Sequence, residues 1–164
     1  MSQRKNVRCY GYVERPYEQV RALLHREPLE LLQRATNSAS ARTRALVANL
    51  RVDLAGVEIG VDVRTHVNRV RDEKGVAGLS PVTCVDLGWE AAHAPAIFPL
   101  MSARLSAWPI TSTETQLELD GDYEPPLGPL GTALNAVVGH RIAEASVERL
   151  LQDVLEQLRR EPTA

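Results

Sequence analysis

Between Leu130 and Leu158 apolar residues return at helical spacing, with no proline and one interior glycine, Gly139. Set out at about 100° per residue, Ala133, Ala136, His140, Ala143, Val147, Leu150, Leu151, Val154, Leu155 and Leu158 share one face, and Arg141, Arg149, Gln152, Glu156 and Arg160 lie opposite. The pattern predicts a single helix roughly 45 Å long. A compact domain of this size has a radius of gyration of roughly 15 Å, so the helix crosses the whole molecule and needs an equally extended surface beneath it. Its apolar face changes character along its length. The C-terminal half carries large aliphatics, whereas Ala133, Ala136 and Ala143 surround His140 in the N-terminal half, and small residues on a core-facing stripe mean close backbone approach or unfilled space. A second stripe of Leu134, Val138 and Ile142 calls for cover from a loop or a partner chain.

Elsewhere the period is two. Thr113 to Tyr123 alternates, with Thr115, Leu117, Leu119, Gly121 and Tyr123 on the dry side and Glu114, Gln116, Glu118, Asp120 and Asp122 on the wet side, which predicts an antiparallel strand. Val7 to Val13 alternates likewise, with Arg8, Tyr10 and Tyr12 opposite Val7, Cys9, Gly11 and Val13. Pro16 and Pro28 each begin a short helical segment, and Thr36 to Ala41 reads as a loop. Leu46 to Leu54 and Val57 to Asn68 then form a hairpin about the turn Ala55-Gly56. Asp72 to Pro81 is a connection, Thr83 to Glu90 a strand, the stretch with Pro95 and Pro99 a loop, and Leu100 to Trp108 a strand that turns at Pro109. The sum is an α+β fold: two short helices after the first strand, and a curved antiparallel sheet of about six to seven strands wrapped around the long terminal helix.

Two stretches carry a resemblance. Val13-Glu14-Arg15-Pro16-Tyr17-Glu18-Gln19-Val20-Arg21-Ala22-Leu23-Leu24 with Glu27-Pro28 looks like the opening of START-like, or SRPBCC, proteins. Gly121-Asp122-Tyr123-Glu124-Pro125 with Leu127-Gly128 looks like their passage into the C-terminal helix. The resemblance implies the helix-grip fold shared by lipid-transfer domains, plant pathogenesis-related proteins, coenzyme Q-binding proteins and polyketide cyclases, and with it a small hydrophobic ligand between sheet and helix.

Composition agrees with one soluble domain over residues 1–164, with its core at about 6–160. The chain has 164 residues, is 44% hydrophobic and 24% charged, and has a net charge of -2, so no basic footprint for nucleic acid is present. The N-terminus Met1 to Asn6 is short and polar, and no apolar run reaches membrane-spanning length. The expectation is a cytoplasmic protein without membrane insertion, monomeric or weakly dimeric. Cys9 and Cys84 fall in alternating apolar segments and read as buried thiols rather than a disulfide.

Motifs for chemistry are sparse. His25, His66, His93 and His140 are scattered, without H-E-x-x-H or C-x-x-C, so neither a metal nor a cofactor is expected. Asp120-Gly121-Asp122 reads as the wet face of a strand, Gly128-Pro129-Leu130-Gly131 as an elbow, and there is no G-x-S-x-G. His140 stands out by its place among alanines: it is either a core histidine satisfied by a carbonyl, or a polar group facing a cavity that donates to a ligand or acts as a weak general base. Its candidate partners across such a cavity are Tyr10, Tyr12, Arg104 and Tyr123, with Arg104 equally suited to the wet face beside the apolar set Met101, Ala103, Leu105 and Ala107. Three functions remain open: binding of a lipid, isoprenoid or polyketide-like molecule in a pocket lined by Ala133, Ala136, His140 and Ala143; a cyclase or dehydratase using His140 or a tyrosine; and a protein-interaction module using the second stripe.

Overall fold

The computed structural model describes residues 5–35, 37, 63–75, 80–91, 101–123 and 136–162. Strand β1 (Lys5–Val13) leads to helix α1 (Tyr17–Arg26) and a second helical segment, α2, over residues 28–35. Strands β2 (Val63–Lys74), β3 (Pro81–Ala91), β4 (Met101–Pro109) and β5 (Thr115–Tyr123) precede helix α3 (Ala136–Arg160). All pairings are antiparallel and the sheet order is β1-β5-β4-β3-β2. The first and last described strands are therefore neighbours, and α3 packs chiefly on β1 and then on β5.

Burial follows the alternation. Val7, Gly11 and Val13 in β1, Leu117, Leu119 and Tyr123 in β5, Leu105 and Ala107 in β4, and Val85 and Leu87 in β3 form one dry inner face. Onto it α3 lays Val147, Leu150, Leu151, Val154, Leu155 and Leu158, each at most 3% exposed. The large aliphatics of the helix thus fill its C-terminal half, as their spacing predicts. The fit is closest at Gly11, where an added Cβ would lie 2.5 Å from Leu155 Cδ1. The methyl of Leu155 occupies the place of a side chain on β1, which only glycine leaves vacant. On the remaining side, Val20 and Leu24 of α1 and Leu31, Leu32 and Ala35 of α2 complete the core, and α2 is tied to the sheet edge by Gln33 Oε1 accepting from Thr65 N at 3.1 Å.

The described sheet has five strands, fewer than the six to seven the sequence pattern suggests. The first expected hairpin strand, Leu46 to Leu54, with its turn, the loop over Thr36–Ala41 apart from Asn37, the loop with Pro95 and Pro99, and the elbow at Gly128–Gly131 lie outside the described residues. Strand β2 runs through Asp72–Lys74, where the sequence suggests a connection. The cause is a bulge between Val67 and Arg69, which inserts a residue and restarts the alternation, so that Val70 and Asp72 share the inner face with Val67. Strand β5 starts at Thr115 rather than Thr113, because Ile110 N and Thr111 N both bond Glu114 O, at 2.9 and 3.2 Å, and close a turn. The expected start of α3 at Leu130 lies outside the described residues, and the helix ends at Arg160, two residues beyond the expected Leu158.

The C-terminus of α3 is clasped from three directions. Arg15 Nη2 donates to Glu161 O at 2.5 Å, Arg34 Nη1 meets Glu161 Oε1 at 3.2 Å, and Arg159 Nη2 donates to Tyr12 O at 3.0 Å. Arg15 here satisfies a carbonyl at the helix end, Arg34 and Arg159 tie that end to α2 and β1, and the guanidinium groups complement its negative pole.

Candidate functional site

Antiparallel register sorts the candidate residues by face. Inner rows run across β1, β5, β4 and β3: one row holds Val7, Gly121, Ala103 and Leu87, the next Cys9, Leu119, Leu105 and Val85, the next Gly11, Leu117, Ala107 and Thr83. Leu151 and Leu155 of α3 meet the Gly11 row, and Cys9 Sγ lies 3.8 Å from Val147 O in the next. Moving toward its N-terminus, α3 therefore advances toward Val7, Gly121 and Tyr123. At 1.5 Å per residue, position 143 stands about 6 Å beyond Val147 and position 140 about 10 Å beyond it. The backbone carries these positions toward the row of Val7, Gly121, Ala103 and Leu87, in which the residues of β5 and β4 are small.

Of the four proposed partners of His140, one faces this side. Tyr123 is 2% exposed on the inner face, and burial first, then the charge of Glu144, pushes its hydroxyl up from the ordinary tyrosine value. It stays protonated at neutral pH and is able to donate a hydrogen bond. Tyr10 and Tyr12 lie on the opposite, outer face, 62% and 45% exposed, their rings edge to face with centroids 6.1 Å apart. Arg104 is on that outer face too, its Nε 2.9 Å from Asp86 Oδ1. These three are corrected: alternation with Val7, Gly11 and Val13, and with Ala103 and Leu105, turns them away from α3. Ala133 lies outside the described residues, and the structure describes Ala136, His140 and Ala143 only as helix positions.

The outer face is a solvated ladder. Arg8, Asp120, Arg104 and Asp86 stand side by side on β1, β5, β4 and β3, and Arg71 of β2 also reaches Asp86. Such alternating charges neutralise one another at the surface and contribute little each to stability. The two cysteines are free and on different faces. Cys9 is half-buried and inner, while Cys84 is buried under the outer ladder beside Ser106, so a disulfide has no geometry. Burial pushes the Cys9 thiol up to about 12, with Glu148 and Glu118 adding to the effect, and a thiol held protonated is a poor nucleophile.

Sequence reasoning missed a second polar group. Asp72 receives Arg21 Nε and Nη2 on Oδ2 at 3.0 and 2.7 Å, and His25 Nε2 and Thr83 Oγ1 on Oδ1 at 3.0 and 2.8 Å, while Thr83 also bonds the buried Tyr17 hydroxyl at 2.8 Å. The spacing of Arg21 and His25, one turn apart on α1, was the available signal. Among the described residues no group of three His, Cys, Asp or Glu is arranged to hold a metal ion, and no helix is long and apolar enough to cross a membrane.

No protein-family model matches the chain, and no curated protein sequence matches it either. Solved structures do align with it. The Zhui aromatase/cyclase from Streptomyces sp. R1128 aligns over 96% of this chain and 95% of its own, at 15% identity and a TM-score of 0.45. TTHA0849 from Thermus thermophilus aligns over 94% and 97%, at 17% identity and 0.43, and Ara h 8.0201 over 95% and 98%, at 7% and 0.44. At these TM-scores the likenesses add no weight to the reading of any residue. The architecture itself, an antiparallel sheet in the order β1-β5-β4-β3-β2 with one long C-terminal helix packed on it behind a helical pair, is that of a helix-grip fold.

Proposed function

We propose that the chain binds a small hydrophobic molecule of the lipid, isoprenoid or polyketide-like kind between the inner face of the sheet and the N-terminal half of α3. The observation that carries this reading is the asymmetry along α3. Toward its C-terminus, Leu151 and Leu155 close on Gly11 with no room for one further carbon, whereas toward its N-terminus the helix sequence supplies Ala136, His140 and Ala143 and the sheet row supplies Gly121 and Ala103. Small residues on both sides of a sheet–helix interface leave space that close packing otherwise fills. Tyr123 and His140 are the polar anchors of the reading, Tyr123 as hydrogen-bond donor.

Native mass spectrometry of the freshly purified protein is the direct test, with a co-purifying apolar molecule expected. Replacing Ala143 or Ala136 with leucine should then abolish its uptake with little change in melting temperature, because the added atoms enter open space. In a filled core each replacement would cost about 1–3 kcal/mol by overpacking. A large stability loss in both variants removes the pocket and the role of His140 with it. An empty, stable dimer would instead favour a protein-interaction role for the stripe Leu134, Val138 and Ile142.

A further inference from the structure

At the opposite end of α3 a cleft of about 480 Å³ is lined by Tyr12, Glu14, Arg15, Glu114 and Arg159. It lies where β1 ends, where the β4–β5 turn closes, and where α3 stops. Arg15 is the only buried cation among the described residues, 7% exposed. Its guanidinium has five donors, and its described side-chain hydrogen bond uses one of them, on the carbonyl of Glu161. Arg159 likewise spends one donor on a carbonyl, that of Tyr12. Neither forms an ion pair among the described residues, in contrast to Arg8, Arg21, Arg71 and Arg104, which all hold carboxylates.

A buried guanidinium without a counter-charge is costly. The negative pole of α3 offsets part of that cost and leaves donors to spare. Two carboxylates, Glu14 and Glu114, line the same cleft without pairing with either arginine. A simple anion would meet their repulsion and that of the helix terminus, and a simple cation would meet two guanidiniums. A molecule bearing both charges satisfies both sets. We propose that this cleft binds a compact zwitterion, its phosphate or carboxylate held by Arg15 and Arg159 and its ammonium by Glu14 and Glu114, with the Tyr12 ring as a wall that also favours the cation.

The experiment is a ¹H–¹⁵N titration of the full chain with O-phosphoethanolamine, with inorganic phosphate and ethanolamine in parallel. Saturable shifts are expected at Tyr12–Arg15, Glu114 and Arg159–Glu161 with phosphoethanolamine, and binding about tenfold weaker or worse with either half alone, since each half forgoes the charge-assisted contacts of the other. Arg159→Gln, at an exposed position, should weaken binding about tenfold, as should Glu114→Gln; Arg159→Gln and Arg15→Gln are each scored on protein whose melting temperature is retained. Equal affinity for inorganic phosphate, absence of saturable shifts, or unchanged binding by Arg159→Gln overturns the proposal. Sedimentation with mixed phosphatidylcholine–phosphatidylethanolamine vesicles, against phosphatidylcholine alone, separates the two sources of this chemistry: co-sedimentation with the mixture alone assigns the zwitterion to a lipid headgroup, and binding of free phosphoethanolamine only assigns it to a soluble molecule. The cleft and the proposed apolar pocket lie at opposite ends of α3, so either fails without the other.

Discussion

Replacing Gly11 with alanine should destabilise the protein by about 1–3 kcal/mol, although the change adds a single methyl group to a strand. The new Cβ would sit 2.5 Å from Leu155 Cδ1, with Leu151 Cδ2 and Leu155 Cγ at 3.8 Å, and Leu155 is 1% exposed and packed on every side. One methyl must move, and it does so within a close-packed core. Leu155→Ala alone should cost about 2–5 kcal/mol through the cavity it leaves. The decisive measurement is the double mutant cycle by urea denaturation. In the Leu155→Ala background the Gly11→Ala change should be neutral or stabilising, because the added carbon now fills part of the cavity, giving a coupling of about 0.5–3 kcal/mol. An equal cost of Gly11→Ala in both backgrounds would mean that β1 tolerates the methyl by shifting and that Gly11 is not the register point between strand and helix.

The long-range plan of this fold is legible because its two periods are clean. The aliphatic spacing from Val147 to Leu158 leaves one way to lay the helix on a dry surface, and the alternation of β5 from Thr115 to Tyr123 names which side of the strand that surface is. What is illegible is anything that breaks a period. The bulge at Val67/Arg69 converts an apparent end of alternation into a longer strand, and it hides Asp72 in what reads as a connection. Nothing local to Arg15 marks it as buried, since burial of its guanidinium depends on Glu161, far away in sequence.

The candidate site was legible in part for the same reason. Tyr123 falls on the dry side of its strand by parity, and burial agrees. Tyr10 and Tyr12 fall on the wet side of β1 by the same rule, but aromatic side chains invite a place in a pocket whichever way they point. The deciding signal is across the strands: Arg8 and Tyr10 stand opposite Asp120 and Glu118, and a row of acids marks the solvated face. Pairing of strands was needed to see it, and one strand's alternation does not contain that information.

Asp72→Asn should lower stability by about 1–3 kcal/mol at neutral pH, the worth of several hydrogen bonds to a charged acceptor whose side chain is 34% exposed, and the loss should vanish in acid. Arg21 chiefly, then His25 and Thr83, hold the Asp72 carboxyl well below the usual carboxylate range, against the opposing effect of burial. A group whose folded pKa is depressed contributes stability that is fully present above its unfolded pKa, about 3.9, and that is lost as pH falls from there toward the folded value. Thermal melts of wild type and Asp72→Asn should therefore run a constant distance apart from about pH 7 to about pH 5 and converge below about pH 4. Glu18→Gln is the control, since Glu18 meets the same Arg21 at 3.6 Å with a side chain 75% exposed, and an exposed pair of that kind is worth about 0–1 kcal/mol. The difference has a structural cause: Asp72 reaches inward through Thr83 to the Tyr17 hydroxyl, both residues at most 5% exposed, so its removal unbalances buried donors that fasten α1 to the sheet, whereas Glu18 leaves only water behind. Parallel curves down to about pH 2, or an Asp72→Asn loss no greater than that of Glu18→Gln, would reduce this group to a surface ion pair and leave the seating of α1 to the burial of Tyr17, Val20, Leu23 and Leu24.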